Sequence, residues 1–408
     1  RIYGKFFIRQ ENISPMNEEY KIAPLHQRVF GRRSLLVLLV FFVFLLTNRH
    51  QWAADIRNSA DDAAYLAYAM TMGIDLDLDF SNDITDGIYT GPNRRSPKAF
   101  YGAGLMAAPF VGMFSLLDRI AGVPVIEDRT RFLHSWSYFG FSFAVHLYFL
   151  LSVIFFWKCV VAFKERPSQA LVLLLSVSSG VVYFVLIRPR MPHAFEFFAL
   201  SLITYAGVRL WGAFKAGRLG ISWALAAALG VNLCVAVRMN DANVVLLPIL
   251  VFLLFLCLER GGIVDSGEGG ILFKSLSAYL VLVAAIYVPF GLLNDAVYGA
   301  FFPSRGDIYG VTEVLPALQG IEGYLARMEN LLVLLPKSWI VFFGAEFGLL
   351  YSSPVVVFGL FSIVFMLLGK ALRSRPLVPL ITLAGVACYV LFSLSFVLLW
   401  QSTASSYG

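Results

Sequence analysis

Charged side chains are scarce in this chain. Asp, Glu, Lys and Arg make up 14% of its 408 residues, whereas hydrophobic residues make up 59%. Soluble domains contain about 25% charged residues, so the composition excludes an ordinary soluble domain. Long apolar runs such as SLLVLLVFFVFLL and FSFAVHLYFLLSVIFFW also lack the alternation of a β-barrel, and a membrane-spanning helix needs about 20 apolar residues. We therefore predict an all-α polytopic membrane protein.

Cysteine is also rare, with four in the chain. All four lie within or at the ends of apolar runs and show neither metal-ligand spacing nor a disulfide framework, so we expect them to be small packing residues. They are Cys159, Cys234, Cys257 and Cys388. The net charge of +6 is typical of Lys and Arg in cytoplasmic loops, and it does not indicate nucleic acid as a partner.

Basic residues predict the orientation in the membrane. Three arginines precede the first apolar span, at about residues 34–47, which makes residues 1–33 a cytoplasmic N-terminal extension. They are Arg28, Arg32 and Arg33. The span has no small-residue cleavage site after it, so it is predicted to be an anchor rather than a signal peptide. Residues 48–132 then form an outer juxtamembrane loop.

The segment AFYGAGLMAAPFVGMFSLL, residues 99 to 117, either crosses the membrane or lies flat on its outer surface. Only the flat placement puts most of the later basic loops in the cytoplasm, so the positive-inside rule favours it. With it, the chain has about nine or more spans and a second outer loop at 293–340. The remaining spans are predicted at 133–157, 168–187, 194–212, 220–237, 242–258, 275–292, 352–368 and 377–399.

Carboxylates gather in NSADDAAYLAYAMTMGIDLDLDFSND, residues 58 to 83. Four positions follow helical spacing of i, i+4, i+7 and i+11, which predicts an amphipathic surface helix with a carboxylate at its head. They are Asp61, Tyr65, Tyr68 and Met72. Asp61 and Asp62 also suit a helix N-terminus electrostatically. Capping carboxylates on a solvated loop helix are the structural alternative.

Cations gather in three further stretches that border predicted spans, where ionisable groups are costly and are functional candidates by default. The stretches are LIRPRMPHAFEFF, with Arg188, Arg190, His193 and Glu196; VRMNDAN, with Arg238 and Asp241; and NRRSPKAFYG, with Arg94 and Lys98. Snorkelling, or an internal pair of Arg238 with Asp241, is the alternative. Together these stretches place carboxylates and cations on one outer face, where a lipid-borne anion could meet a base.

These motifs resemble the C-type (GT-C) integral-membrane glycosyltransferases, which use polyprenyl-phosphate-linked sugars. SADDAAYLAYAMTMGIDLDLDFSND is similar to the D-x-x-x-Y-x-x-Y…DGDLDF-x-N pattern of bacterial members, and PKAFYGAGLMAAPF is similar to their surface helix. MPHAFEFF resembles their SHAYSFF turn, and GAEFGLLYSSPVVVFGL resembles HGLFYWTPVLLLGL. WQSTASSYG resembles the start of a W-x-x-x-x-S-Y-G-x-R loop. Because the chain stops there and begins without Met, we expect a truncated C-terminus and a longer protein.

The resemblance implies a GT-C-like transmembrane domain over 34–408 with extracytoplasmic juxtamembrane helices. Asp61 matches the catalytic acidic position and Asp62 a position often held by Gly or Glu. Lys98 lies where some branches place a phosphate-binding Lys, although Ser-Pro-Lys replaces Lys-Pro-Pro here. Glu346 replaces a frequent Arg or His, so we assign it no role.

The activity expected from these motifs is transfer of a sugar, with inversion, from a polyprenyl-phosphate donor to a hydroxyl. The acceptor is a cell-envelope glycan, lipid or protein, and the active site faces outward from the plasma (inner) membrane. Asp61 is the expected base. We expect the donor phosphate to bind Lys98, Arg94, Arg188, Arg190 or Arg238, and the acceptor or sugar to contact Tyr65, His193, Glu196 or Asp241.

A cofactor is not required by these motifs. Asp61, Asp62 and His193 offer ligands suited to Mg, Mn or Zn, but no spacing forces a metal site. The main alternative function is a secondary transporter or flippase for a lipid-linked or anionic solute. An oligosaccharide polymerase or ligase and a structural membrane subunit are further alternatives.

Overall fold

A computed structural model gives the architecture of seven helices. It describes residues 43–44, 47–48, 60–80, 96–123, 135–163, 181–238, 245, 248–250, 266–303, 307–308, 364 and 368. The helices are α1 (Ala60–Met70), α2 (Gly102–Ile120), α3 (Trp136–Phe163), α4 (Val181–Leu186), α5 (His193–Lys215), α6 (Ile221–Val237) and α7 (Ser266–Tyr298), with a π-helical turn at Thr71–Asp75 after α1. No β-strand occurs within these ranges.

The chain divides into two compact units, Arg1–Asn48 and Arg49–Gly408. In the first unit the described residues are helical up to Thr47. The Thr47 hydroxyl donates to the carbonyl of Val43 at 2.9 Å. All seven labelled helices belong to the second unit.

Among the described residues, four helices are long and apolar enough to cross a membrane, namely α2, α3, α5 and α7, and α6 is a shorter apolar helix. The predicted helical architecture is confirmed, and the four candidate spans agree with the prediction of a membrane protein. The helices at 136–163, 193–215 and 221–237 match predicted spans closely. The count of about nine spans stays a prediction. The predicted segments at 1–33, 34–47, 168–187, 242–258, 293–340, 352–368 and 377–399 lie wholly or largely outside the described residues.

The last described helix is longer than predicted. The sequence places the end of this span at residue 292, where polar residues begin, whereas α7 continues to Tyr298. The Asn294 side chain is accommodated because it donates to the Tyr287 hydroxyl at 3.2 Å and to the carbonyl of Phe301 at 3.3 Å. The segment predicted as the second outer loop therefore begins after Tyr298.

Helices α3 and α5 run parallel. Phe141 packs on Phe195 with ring centroids 5.9 Å apart. Farther along both helices, Phe155 stacks on Tyr205 at 5.5 Å. The first turns of α3 and α5 therefore lie at the same end of the bundle.

Helices α6 and α7 run in the opposite direction to α5. Arg238, directly after α6, lies 3.4 Å from Glu196 in the first turn of α5. The Asn232 side chain of α6 donates to the carbonyl of Val283 in α7 at 3.1 Å, and Ser275 donates to the carbonyl of Leu219, before α6, at 3.2 Å. We call the end that carries Glu196 and Arg238 the acidic end. The opposite end, with Lys158, Arg209 and Arg218, is the basic end.

Glycine allows α1 and its π-helical turn to approach α2 closely. A Cβ on Gly104 would lie 2.3 Å from the Cβ of Tyr68, and one on Gly73 would lie 2.3 Å from the Ala108 carbonyl oxygen. Gly104, Ala108 and Gly112 lie four residues apart, so they form one small-residue face of α2. This periodicity is visible in the sequence and is the signal for the contact.

The predicted helix at residue 61 is confirmed, but its surface placement is wrong for most of its length. Every residue from 64 to 70 is buried. Helix α2 covers one side, while Phe80 packs edge-on against Tyr68 at 5.0 Å. Only the first turn of α1 keeps an exposed edge, at Asp61.

Both ends of α2 contact helix termini at the acidic end. A Cβ on Gly102 would lie 2.3 Å from the carbonyl carbon of Ala236, in the last turn of α6. At the other end, the buried carboxylate of Asp118 accepts hydrogen bonds from the backbone N–H groups of Trp136 and Ser137, each at 2.7 Å. The Ser137 hydroxyl also donates to Asp118. Asp118 therefore caps α3 and fixes α2 beside its first turn.

Candidate functional site

The first turn of α1 presents two carboxylates with different surroundings. Asp61 is exposed, whereas Asp62 is 7% exposed. Adjacent helical residues point about 100° apart, so one side chain faces outward while the other faces the protein. Asp62 accepts a hydrogen bond from the Arg188 guanidinium at 2.9 Å, through Oδ2. Among the described residues, no donor reaches its buried Oδ1.

Arg188 comes from the turn between α4 and α5, 126 residues away from Asp62. Its side chain is 35% exposed, so Arg188 is partly accessible to solvent while it pairs with Asp62. The pair joins two segments that sequence analysis assigned to the same face. It also shows that Asp62 does more than cap its own helix.

Arg190 lies in the same turn but is buried, with 1% exposure. Its Cζ lies 3.7 Å from the ring centroid of Tyr138, within range of a cation–π contact. Burial lowers the pKa of Arg190 to about 10, while Tyr138 and Asp62 act in the opposite direction. The guanidinium remains charged at neutral pH and places a positive charge near Asp62 inside the protein.

A second group of charges lies where α5 begins. Glu196 Oε2 is 3.4 Å from Arg238 and 3.6 Å from Nδ1 of His193. The His193 ring packs against Phe184 with centroids 3.9 Å apart. The Arg238 side chain is 38% exposed, so it is partly accessible to solvent, like that of Arg188. Asp241, the partner of Arg238 in the structural alternative, lies outside the described residues, and so does Arg94.

Asp61 lies in the electrostatic field of both groups. The largest influence on the pKa of Asp61 is desolvation by the protein that packs against its inner side, which raises the pKa although the outer edge of the residue is exposed. The neighbouring Asp62 raises the pKa further. Arg188 and Arg238 partly offset this increase. A carboxylate with a raised pKa beside two cations can take a proton while the cations bind an anion.

The segment that carries Lys98 is held by buried tyrosines. Tyr68 donates to the carbonyl of Pro97 at 2.9 Å, and Tyr298 donates to that of Ala99 at 2.9 Å. The backbone N–H of Tyr101 donates to the Tyr298 hydroxyl at 3.0 Å. Lys98 itself is half-buried. Sequence reasoning missed Tyr298 because it is 199 residues from Ala99 and falls beyond residue 292, where the sequence predicts the end of the span.

The structure differs from the sequence analysis at one expected substrate contact and at one candidate set of metal ligands. Tyr65, predicted to touch the acceptor or sugar, is 6% exposed and lies in the core. The predicted metal ligands Asp61, Asp62 and His193 are not brought together as a set. Within the described ranges, no three His, Cys, Asp or Glu side chains are grouped closely enough to hold a metal ion.

Comparison of the chain with family models, curated proteins and solved structures finds no match. The resemblance to GT-C glycosyltransferases therefore stays a prediction carried by the quoted motifs.

Proposed function

We propose that this protein is a membrane glycosyltransferase that moves a sugar from a polyprenyl-phosphate donor to an acceptor hydroxyl at the outer face of the membrane. The observation that carries the proposal is the position of the Asp61 carboxylate, in the field of Arg188 and Arg238 at the acidic end of the bundle. A transfer of this kind needs a base for the acceptor and a cation for the leaving phosphate. The acidic end supplies both.

Asp61 is the general base. Its exposed edge is open to an acceptor, and its raised pKa makes it a stronger base than a free aspartate. General bases contribute about 10²–10⁴-fold to rates. Asp62 is held by Arg188 and serves to position that arginine.

Arg188 and Arg238 bind the donor phosphate. Each guanidinium has five N–H donors in a planar fork, and each side chain is partly exposed while a carboxylate helps to orient it. Such a cation neutralises the charge that develops on the leaving group. Lys98 adds a further positive charge. Arg190, which is buried under Tyr138, supports Asp62 rather than touching the donor.

The reaction is a single displacement. Asp61 takes the proton of the acceptor hydroxyl as its oxygen attacks the anomeric carbon. The bond between that carbon and the phosphate oxygen breaks, and its electron pair leaves with the polyprenyl phosphate. The configuration at the anomeric carbon is inverted.

The contacts of α2 support its placement as a juxtamembrane helix. Both of its ends meet helix termini at the acidic end, at Ala236 and at Trp136. With α2 flat on the outer surface, the basic end faces the cytoplasm, in accord with the positive-inside rule. The chain is then a GT-C-like bundle of about nine spans in the plasma (inner) membrane with its site outside.

The test is complementation of cells that lack this gene. Wild type and Asp61→Asn are expressed at equal membrane levels, and envelope glycans are compared by mass spectrometry. We expect the deletion to lose one sugar, wild type to restore it and Asp61→Asn to leave it missing. Full restoration by Asp61→Asn would overturn the assignment of the base. A deletion with unchanged glycans would overturn the glycosyltransferase and leave the transporter or flippase as the better hypothesis.

A further inference from the structure

Two cations at the basic end converge on one aromatic ring. Nζ of Lys158, on α3, and Cζ of Arg209, on α5, each lie 5.9 Å from the ring centroid of Tyr205. Arg209 donates to the Tyr205 hydroxyl at 3.2 Å and lies 4.5 Å from the ring centroid of Trp223. We call Tyr205 and Trp223 the aromatic platform. It holds two positive charges at neighbouring positions.

The two rings of the aromatic platform are packed against other side chains, so the cations contact rings whose positions are fixed. Tyr205 is 6% exposed and stacks on Phe155 with ring planes 17° apart. Trp223 meets the Tyr205 ring edge-on, with centroids 5.6 Å apart. Cys159 and Val208 complete a buried cluster around the ring. The Arg209 guanidinium is therefore oriented by side chains that have little freedom to move.

No carboxylate neutralises these cations within the part of the chain that the structure describes. Arg188 and Arg238, by contrast, each pair with one. Cation–π contacts hold a charge in place but leave its net charge unchanged. Two cations with no described carboxylate beside them carry net positive charge, which attracts an anion. Arg209 can bind a phosphate through two N–H groups, while Lys158 adds a point charge.

We propose that Lys158 and Arg209 bind the phosphodiester headgroup of an anionic phospholipid at the basic end. Lys158 and Arg209 lie within the last two turns of α3 and α5, and Trp223 lies in the first turn of α6, near the level at which lipid headgroups meet a membrane protein. Large apolar side chains on the adjoining turns of α3 and α6 are exposed, with Val161 at 39% and Ile221 at 57%. A lipid offers acyl chains to such surfaces, whereas a soluble anion does not. The anionic cytoplasmic leaflet supplies the ligand.

The test measures binding of phosphatidylglycerol to the full chain in detergent micelles by native mass spectrometry, with phosphatidylcholine as the neutral lipid. Lys158→Gln and Arg209→Gln each remove a charge and keep most of the side-chain length. Each cation near a lipid surface contributes about 1 kcal/mol, so we expect about fivefold weaker phosphatidylglycerol binding for each variant. The double variant should lose about 25-fold. Phosphatidylcholine binding should not change.

Lys274→Gln is the matched control, because it removes an exposed positive charge from α7 at the same end. Equal losses in this control and in the platform variants would show general surface attraction and overturn the site. Unchanged affinity in the double variant would also overturn it. If inorganic phosphate displaces phosphatidylglycerol at equal concentration, the site takes a soluble anion and the lipid assignment is wrong. Arg209→Lys, which keeps the charge, should retain binding even if Arg209→Gln disturbs packing.

Discussion

The acidic end of the bundle holds its two partly exposed arginines against carboxylates, whereas the basic end holds Lys158 and Arg209 against aromatic rings. Arg188 and Arg238 are oriented by Asp62 and Glu196. The basic-end cation Arg209 is oriented by Tyr205 and Trp223. Both ends fix a guanidinium in place, but among the described residues an exposed carboxylate beside such cations, Asp61, occurs at the acidic end. We therefore assign proton transfer to the acidic end and anion binding to the basic end in the proposed functions.

The largest effect that separates the two ends is expected for Asp61→Asn. The amide is similar in shape but cannot accept the acceptor's proton, so transfer should fall about 10²–10⁴-fold. Arg209→Gln, at the basic end, should leave the transfer rate unchanged. Transfer from a polyprenyl-phosphate sugar, followed in membranes with equal amounts of each protein, measures both. Equal losses in the two variants would contradict the division of roles between the ends.

Arg188→Ala should destabilise the protein, because it leaves the buried Asp62 carboxylate without its described partner. A hydrogen bond to a charged group is worth about 1.5–3 kcal/mol, and we expect a loss of that size in the free energy of unfolding. The measurement is unfolding in mixed micelles titrated with SDS. Adding Asp62→Asn should recover part of the loss, since the uncompensated charge disappears. A double variant less stable than Arg188→Ala would show that the pair is not the cause.

Gly104→Ala tests the close packing beneath the acidic end. The new Cβ would lie 2.3 Å from the Cβ of Tyr68 and 2.9 Å from the backbone nitrogen of Ala69, and such overpacking costs about 1–3 kcal/mol. Gly212→Ala in α5 is the control, since a Cβ there meets nothing within 4 Å. That change should stabilise the helix by about 0.5–1 kcal/mol. Melting temperatures in detergent should move in opposite directions, and a shared direction would contradict the contact.

The smallest expected effect is the pH dependence of stability that arises from Asp61. Because its folded pKa is raised, the protonated side chain favours the folded state, so its contribution to stability should fall as pH rises through the ordinary aspartate range and the raised pKa. The transfer rate should rise over the same interval as the base ionises. Melting temperature and rate against pH, compared with Asp61→Asn, measure both trends. An identical melting profile in the variant would show that Asp61 is not perturbed.

The apolar helices could be predicted from the sequence because hydropathy is local. Helices α3, α5 and α6 lie close to their predicted spans. The end of α7 could not be predicted from the sequence. Asn294 is accommodated there by contacts with Tyr287 and Phe301, and these contacts depend on how the chain folds back after the helix.

The residues of the candidate site could be predicted as a group but not as pairs. The cost of charge near span boundaries selected Arg188 and Glu196, whereas the carboxylate-rich segment and its resemblance to the GT-C motif selected Asp61 and Asp62. The partners depend on tertiary structure: the sequence left an internal pair of Arg238 with Asp241 as an alternative, whereas the contact of Arg238 with Glu196, 42 residues away, requires two helices to pack together. Burial of Arg190 likewise requires Tyr138 on another helix.

The most direct test of the central claim is to locate the donor phosphate. A polyprenyl phosphate with a photoreactive group beside its phosphate would be cross-linked to the full chain, and the modified peptides would be mapped by mass spectrometry. The account predicts cross-links around Asp61, Arg188 and Arg238, which unlabelled polyprenyl phosphate removes and phosphatidylglycerol does not. Cross-links confined to the basic end, around Lys158 and Arg209, would contradict it.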